Sequence, residues 1–193
     1  MHSIPESTAA MPEPESAPAP TEQLRLHLGG TERRAGWQIL NIQPAPEADH
    51  VGDCTDLSRF ANDSVDEVYA SHVHEHLGYQ SELIRALAEI RRVLKPGGIL
   101  KISVPDLDVL CGIFIAQGLP LQDRFHVMRM MFGGQIDAFD FHKVGLNWPI
   151  LCEFLGRAGF KTARRVESFH LFQDCSEIVF AGHRISLNVE AVK

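Results

Sequence analysis

The chain has no apolar run approaching the roughly 20 residues that a membrane helix needs, and its start shows neither a basic stretch nor an apolar signal core. Membrane insertion is therefore not expected, and a cytoplasmic location is. There is no excess of basic charge either: 25 acidic against 18 basic residues leave a formal charge of -7, so nucleic acid and anionic lipid are not expected partners. The adjacent pairs Arg33-Arg34, Arg91-Arg92 and Arg164-Arg165 read as solvated surface rather than as a phosphate site. Cysteine pairs are missing as well. Cys54, Cys111, Cys152 and Cys175 are widely spaced, without metal-type or redox-type spacing, and read as four free thiols. Residues 1–22, rich in Pro, Ala, Ser and Glu, lack the large apolar side chains that would offset the entropy of ordering, so a disordered tail is expected there, followed by one domain over 23–187.

What is present centres on Val65 to Asp106. Leu83, Ile84, Leu87, Ile90 and Leu94 recur at helical spacing, with Ser81 placed to cap the start and Pro96-Gly97-Gly98 to stop the helix and turn the chain. β-rich runs flank this helix, so the segment reads strand, helix, strand, a unit that is right-handed and parallel and binds ligands beyond the carboxyl ends of its strands. His72, His74, Glu75 and His76 follow the first of those strands. Upstream, Leu24 to Leu28 alternates as a strand and Gly29-Gly30 ends it; Gln38 to Ile42 is a second strand, so close behind that the usual intervening helix must be a single turn or absent. Residues 49–53 suggest a short edge strand. Downstream, helices are expected from Asp106 to about Gln117, over Leu121–Phe132, and from Asn147, which caps a helix burying Ile150, Leu151, Phe154 and Leu155. Met128, Met130 and Met131 fit core packing better than a pocket lining. The polar, glycine-rich stretch 133–145 is a loop long enough to be functional, and 161–167 and 177–185 read as two closing strands.

Taken together, L-H-L-G-G-T at 26–31, G-D-C at 52–54, V-D-E-V-Y-A-S-H-V-H-E-H-L at 65–77, R-V-L-K-P-G-G at 92–98 and A-G-F at 158–160 resemble the class I S-adenosylmethionine-dependent methyltransferases, and among them the small bacterial methyltransferase-11-like group. The resemblance implies an α/β fold, a Rossmann-like three-layer sandwich around a mostly parallel seven-stranded sheet with an antiparallel last strand. It also implies the cofactor S-adenosylmethionine and a small-molecule or envelope-precursor acceptor, such as a sugar or lipid precursor. By position, Gly29 and Gly30 would let backbone approach the methionine part of the cofactor, Asp53 would accept from the adenine amino group with the Cys54 amide beside it, and Ser71 and His72 would lie near the transferring methyl. Gln43 stands where relatives usually carry an acidic residue for the ribose hydroxyls; a neutral amide gives up charge assistance, so Gln43→Asp should tighten binding. The longer G-x-G-x-G pattern of many relatives shrinks here to Gly29-Gly30.

Methyl transfer from a sulfonium is an in-line displacement that asks mainly for position, with a base where the acceptor is an acid at neutral pH. His76 is the first candidate for that base and His72 and His142 the next, while His74 reads as structural. Asp140 to Lys143 would belong to an acceptor-binding loop. His72, His74 and His76, with Glu75 and Asp140 or His142, could be grouped around a metal, but no metal ligand is expected, since nothing matches a helical H-E-x-x-H or a cysteine framework. Two alternatives stand beside the methyltransferase: a non-catalytic binding module of the same fold, suggested by Gln43 and the short glycine motif, and a metal-dependent hydrolase using His72, His74 and His76.

Overall fold

The computed structural model describes residues 23–193, so the tail expected over 1–22 lies outside the described residues. Its centre is a seven-stranded sheet built from β1 (Arg25–Leu28), β2 (Trp37–Asn41), β3 (His50–Val51), β4 (Val65–Ser71), β5 (Leu94–Pro105), β6 (Thr162–Arg165) and β9 (Ser186–Val192) in the order β3-β2-β1-β4-β5-β9-β6. Only β9 runs against its neighbours. Between β1 and β2 no helix forms; eight residues, 29–36, carry the chain across and leave Arg25 in register with Trp37.

One face is apolar because each strand turns its alternate residues the same way. Leu26, Leu28, Val68, Ala70, Leu100, Ile102, Leu187 and Val189 meet α1 (Glu82–Val93) and α4 (Trp148–Arg157), whose own stripes bury Leu83, Leu87, Ile90, Leu151 and Leu155. The other face carries Trp37 and Tyr69 and is covered by Phe169 and Phe172, from the irregular segment that follows β6. The Tyr69 hydroxyl donates to Asp174 at 2.6 Å and ties that cover down. The helices α2 (Leu107–Ile115) and α3 (Leu121–Phe132) share a smaller cluster of Leu110, Ile113, Val127 and Ile185, against which Met130 and Met131 pack as core side chains.

Several local expectations need correction. Ser81 sits before α1 but makes no capping bond; Glu82 reaches back instead, its carboxylate accepting from the Gly78 amide at 2.7 Å. Pro96-Gly97-Gly98 does not stop the helix, which ends at Val93, but lies inside β5 as a bulge: pairing jumps from Val65 with Leu94 to Glu67 with Ile99, and Gly97 takes φ +79°. Ile150 is exposed, since it lies a hundred degrees or so around α4 from the buried Leu151. Residues 177–185 are not a strand of the seven-stranded sheet. They hold a small hairpin, β7 (Val179–Phe180) and β8 (His183–Arg184), and the inserted antiparallel strand is β9, whose alternation of Leu187, Val189 and Ala191 places them in the core. The domain boundary expected at 187 would cut that strand, and the folded unit runs on to Val192. Among the described residues no helix is long and apolar enough to cross a membrane.

Candidate active site

Parallel pairing brings the carboxyl ends of β1 to β4 to one edge of the sheet, and the residues leaving those strands enclose a cavity of about 390 Å³. Gly29, Gln43, Asp53 and His72 all line it, one from each strand end. Its cover comes from Ala138, Phe139, Phe141 and Lys143 of the 133–145 loop. Ile42, Phe139 and Phe141 line it while remaining 42%, 48% and 44% exposed, which makes them its rim. Gly29 is required at its position: φ is +71°, and a Cβ would stand 2.6 Å from the Val73 side chain on the neighbouring strand end.

Two residues expected at this cavity are elsewhere. Gly30 and Ser71 border a separate, smaller hollow beside His27 and Phe172. A Cβ on Gly30 would meet the His27 ring at 2.5 Å, so this glycine makes room for a side chain of its own sheet. Ser71 follows Tyr69 by two residues and shares its face, away from the His72 side, and its hydroxyl is buried without a partner. The remaining polar groups are held by short-range bonds. The Gln43 amide donates to Asp137 at 3.2 Å, bringing a carboxylate from the covering loop to the end of β2. Asp53 accepts from the Thr55 amide through Oδ1 at 2.8 Å, and among the described residues Oδ2 has no such partner. Burial pushes the Cys54 thiol up to about 12, so it is neutral and unreactive, with only its backbone to offer.

The histidines divide sharply. His72, at φ +53°, sets Nε2 2.9 Å from the Ser186 hydroxyl, which itself donates to the Cys175 carbonyl and so accepts from the ring. Its Nδ1, which carries no hydrogen when Nε2 donates, lies 3.3 Å from Glu75 Oε1. Burial lowers His72 to about 4 and raises Glu75 to about 8. His74 is fully buried off the cavity, both ring nitrogens without a partner among the described residues, and burial lowers it to about 4. His76 lines the cavity. Its Nδ1 faces the Phe141 carbonyl at 3.2 Å; a carbonyl can only accept, so Nδ1 carries the hydrogen and Nε2 keeps a lone pair. His142 is not on the wall but packs edge-on against His76, ring centres 4.8 Å apart. Burial lowers both rings, and for His142 the neighbouring His76 adds to the effect.

The loop is fastened over this cluster rather than merely near it. The Lys143 and Val144 amides donate to the Glu75 carbonyl at 2.7 and 3.3 Å, and the Lys143 ammonium meets Glu82 at 3.0 Å. Gly133, at φ +85°, starts the loop where a Cβ would overlap the Asp140 carbonyl. Asn41, Leu77, Glu82 and Phe139 are wall residues that the sequence did not disclose, and Asp137 is an unforeseen neighbour of Gln43. The one available signal was a pair of phenylalanines in an otherwise polar loop.

Residues 33–102 match the family model described as a methyltransferase domain. Among curated proteins none matches. A S-adenosylmethionine-dependent methyltransferase from Archaeoglobus fulgidus is 16% identical, with TM-score 0.55 over 89% of this chain and 86% of that one. The 1,6-didemethyltoxoflavin-N1-methyltransferase of Burkholderia thailandensis, solved with 1,6-didemethyltoxoflavin and S-adenosylhomocysteine, is 16% identical, with TM-score 0.53 over 88% and 70%. A possible histamine N-methyltransferase from Thermotoga maritima is 17% identical, with TM-score 0.51 over 91% and 84%. These likenesses establish the Rossmann-like fold that the seven-stranded order already displays.

Proposed function

We propose that this chain, which carries a methyltransferase domain of the S-adenosylmethionine-dependent class, transfers a methyl group to a small-molecule acceptor. The observation that carries this reading is the meeting of Gly29, Gln43, Asp53 and His72 on one cavity. The residues present suit the cofactor: apolar walls from Leu40, Ile42 and Leu77 with a few placed polar groups, a glycine where a side chain would intrude, and a volume within the roughly 300–1,000 Å³ of small-molecule sites. Asp53, through Oδ2, and the Cys54 amide would hold the adenine, Gln43 with Asp137 the ribose, and the Gly29 backbone beside His72 the methionine end. When bound, the cofactor supplies an electrophilic methyl on a sulfonium.

The chain's own work is then to position the acceptor and take its proton. His76 is the residue we assign to that proton, because its Nε2 lone pair is free on the cavity wall while the Phe141 carbonyl fixes the ring. His72 forms the adjoining wall, and His142 is a positioning residue behind His76. The exposed rim of Ile42, Phe139 and Phe141 admits an acceptor with an apolar part, compatible with an envelope-type precursor. A neighbour of the same fold holds a small molecule, 1,6-didemethyltoxoflavin, alongside its spent cofactor.

Calorimetry with S-adenosylmethionine and S-adenosylhomocysteine, followed by radiolabelled methyl transfer to a fractionated metabolite extract, tests the reading. Binding of both with turnover is expected. No binding of either overturns it, and binding without turnover would leave a non-catalytic module. His76→Ala should bind cofactor as before and lose about 10²- to 10⁴-fold in rate. A full rate in that variant would remove His76 from the proton's path.

A further inference from the structure

We propose that Glu75, His76 and His142 form a binding site for one divalent transition-metal ion at the edge of the cavity. No metal was expected from the sequence, although the alternation of His72, His74 and His76, with Glu75 and Asp140 or His142, suggested a broader group. The fold narrows that group by burying His74 elsewhere, and it gathers two imidazoles and a carboxylate whose donor atoms all lie within 4.8 Å of one another.

Three observations carry the site. First, Glu75 is 2% exposed and among the described residues neither carboxyl oxygen has a hydrogen-bond partner. A buried carboxyl left this way is costly unless a cation or donor meets it, and the neighbouring His72 offers none, since its hydrogen sits on Nε2 toward Ser186 and only the bare Nδ1 faces Glu75. Second, the His76 imidazole has a carbonyl oxygen behind it, that of Phe141 facing Nδ1 at 3.2 Å. That is the arrangement by which ligand histidines are usually oriented, one nitrogen donating to a carbonyl and the other left to coordinate. Third, the ligands arrive on a braced frame. Glu75 and His76 share one turn after β4, and the loop carrying His142 is bonded to the Glu75 carbonyl at the very next residue.

The donor set selects the ion. Two nitrogens and one oxygen suit zinc and its first-row neighbours, not calcium or magnesium, which prefer oxygen throughout. Zinc held at about 2.0–2.1 Å from each donor spaces them roughly 3.4 Å apart in a tetrahedron. The present donors, all within 4.8 Å of one another, stand at most about 1.4 Å wider than that. Three protein donors leave the fourth position open on the cavity wall; with the ion in place His76 Nε2 is a ligand and no longer takes the proton, and the ion instead acidifies an acceptor hydroxyl or amine bound at that position, whose proton passes to solvent. The ion site stands on its own geometry; only its role toward the acceptor rests on the methyltransferase reading.

The test uses the full chain without a histidine tag, stripped with chelator and titrated with zinc against a chromophoric competitor, with cobalt(II) as a spectroscopic probe. One equivalent of zinc is expected, with ligand-field bands appearing on cobalt addition. Glu75→Gln and His142→Ala should each weaken zinc by at least about tenfold, while His170→Ala, at an exposed histidine far along the chain, should not. His142→Ala alters only a loop and keeps the test alive if Glu75→Gln fails to fold. Absence of a one-equivalent site, or equal affinity in His142→Ala, overturns the proposal. Calorimetry with S-adenosylmethionine on the same preparations separates the two readings: cofactor binding without zinc binding removes the metal and leaves the methyltransferase, and zinc binding without cofactor binding does the reverse.

Discussion

Gln43 shows how one residue's meaning depends on its neighbour. Alone it is a weakened ribose acceptor, but its amide donates to Asp137 at 3.2 Å, so the missing carboxylate arrives from the covering loop. Gln43→Asp by itself should therefore not tighten S-adenosylmethionine, since it sets two carboxylates against each other. Combined with Asp137→Asn it should tighten binding about five- to tenfold, the difference between a neutral and a charge-assisted hydrogen bond. Calorimetry on both variants decides, and a double variant no tighter than wild type would dissolve the ribose assignment. His27 is a second case. It is buried among Tyr69 and Phe172 with Nδ1 unpartnered, and burial lowers it from 6.5 to about 4. The unfolded chain thus binds a proton that the folded chain refuses between those values, and stability falls as pH drops through that window, by up to about 3 kcal/mol from this group. Urea unfolding at pH 7 and pH 4.5 should show a shallower loss in His27→Leu than in wild type; equal losses would mean that this ring is not the one resisting protonation.

At the scale of elements, helix starts that look alike in sequence behave differently in the fold. Asp106 accepts from the Asp108 amide at 3.1 Å and caps α2, whereas Ser81 makes no such bond before α1. Asp106→Ala should cost about 1 kcal/mol and Ser81→Ala less than about 0.5, measured as shifts in urea midpoint at constant slope. Matching losses would show that Ser81 caps in solution after all. The same contrast explains what was readable beforehand. The stripe of Leu83, Leu87 and Ile90 announces α1 because burial repeats with the helix period, and α3 matches its expected bounds. The bulge at Pro96-Gly97-Gly98 was not readable, because proline and glycine mark an irregularity without saying whether it ends an element or bends one.

For the whole molecule, β9 is the decisive piece, lying between β5 and β6 with Val189 and Ala191 fully buried. A chain ended after Ile185 should lose cooperative unfolding, because it strips the core of β5 and leaves β6 without a partner. A truncated chain that keeps the wild-type midpoint in circular dichroism would misplace this strand. By itself the sequence determined the parallel strand-helix-strand centre, the glycine at the end of β1, and the strand ends from which a ligand site must be built, because these follow from local periodicity and from the handedness of the connection. Only the tertiary structure decided that Gly30 and Ser71 serve another hollow, that Asp137 stands in beside Gln43, and that Glu75, His76 and His142 converge while His74 is shut away. Those outcomes depend on which face a side chain takes and on where a loop some 65 residues further along the chain comes to rest, and both are settled by packing between elements rather than by anything written within one.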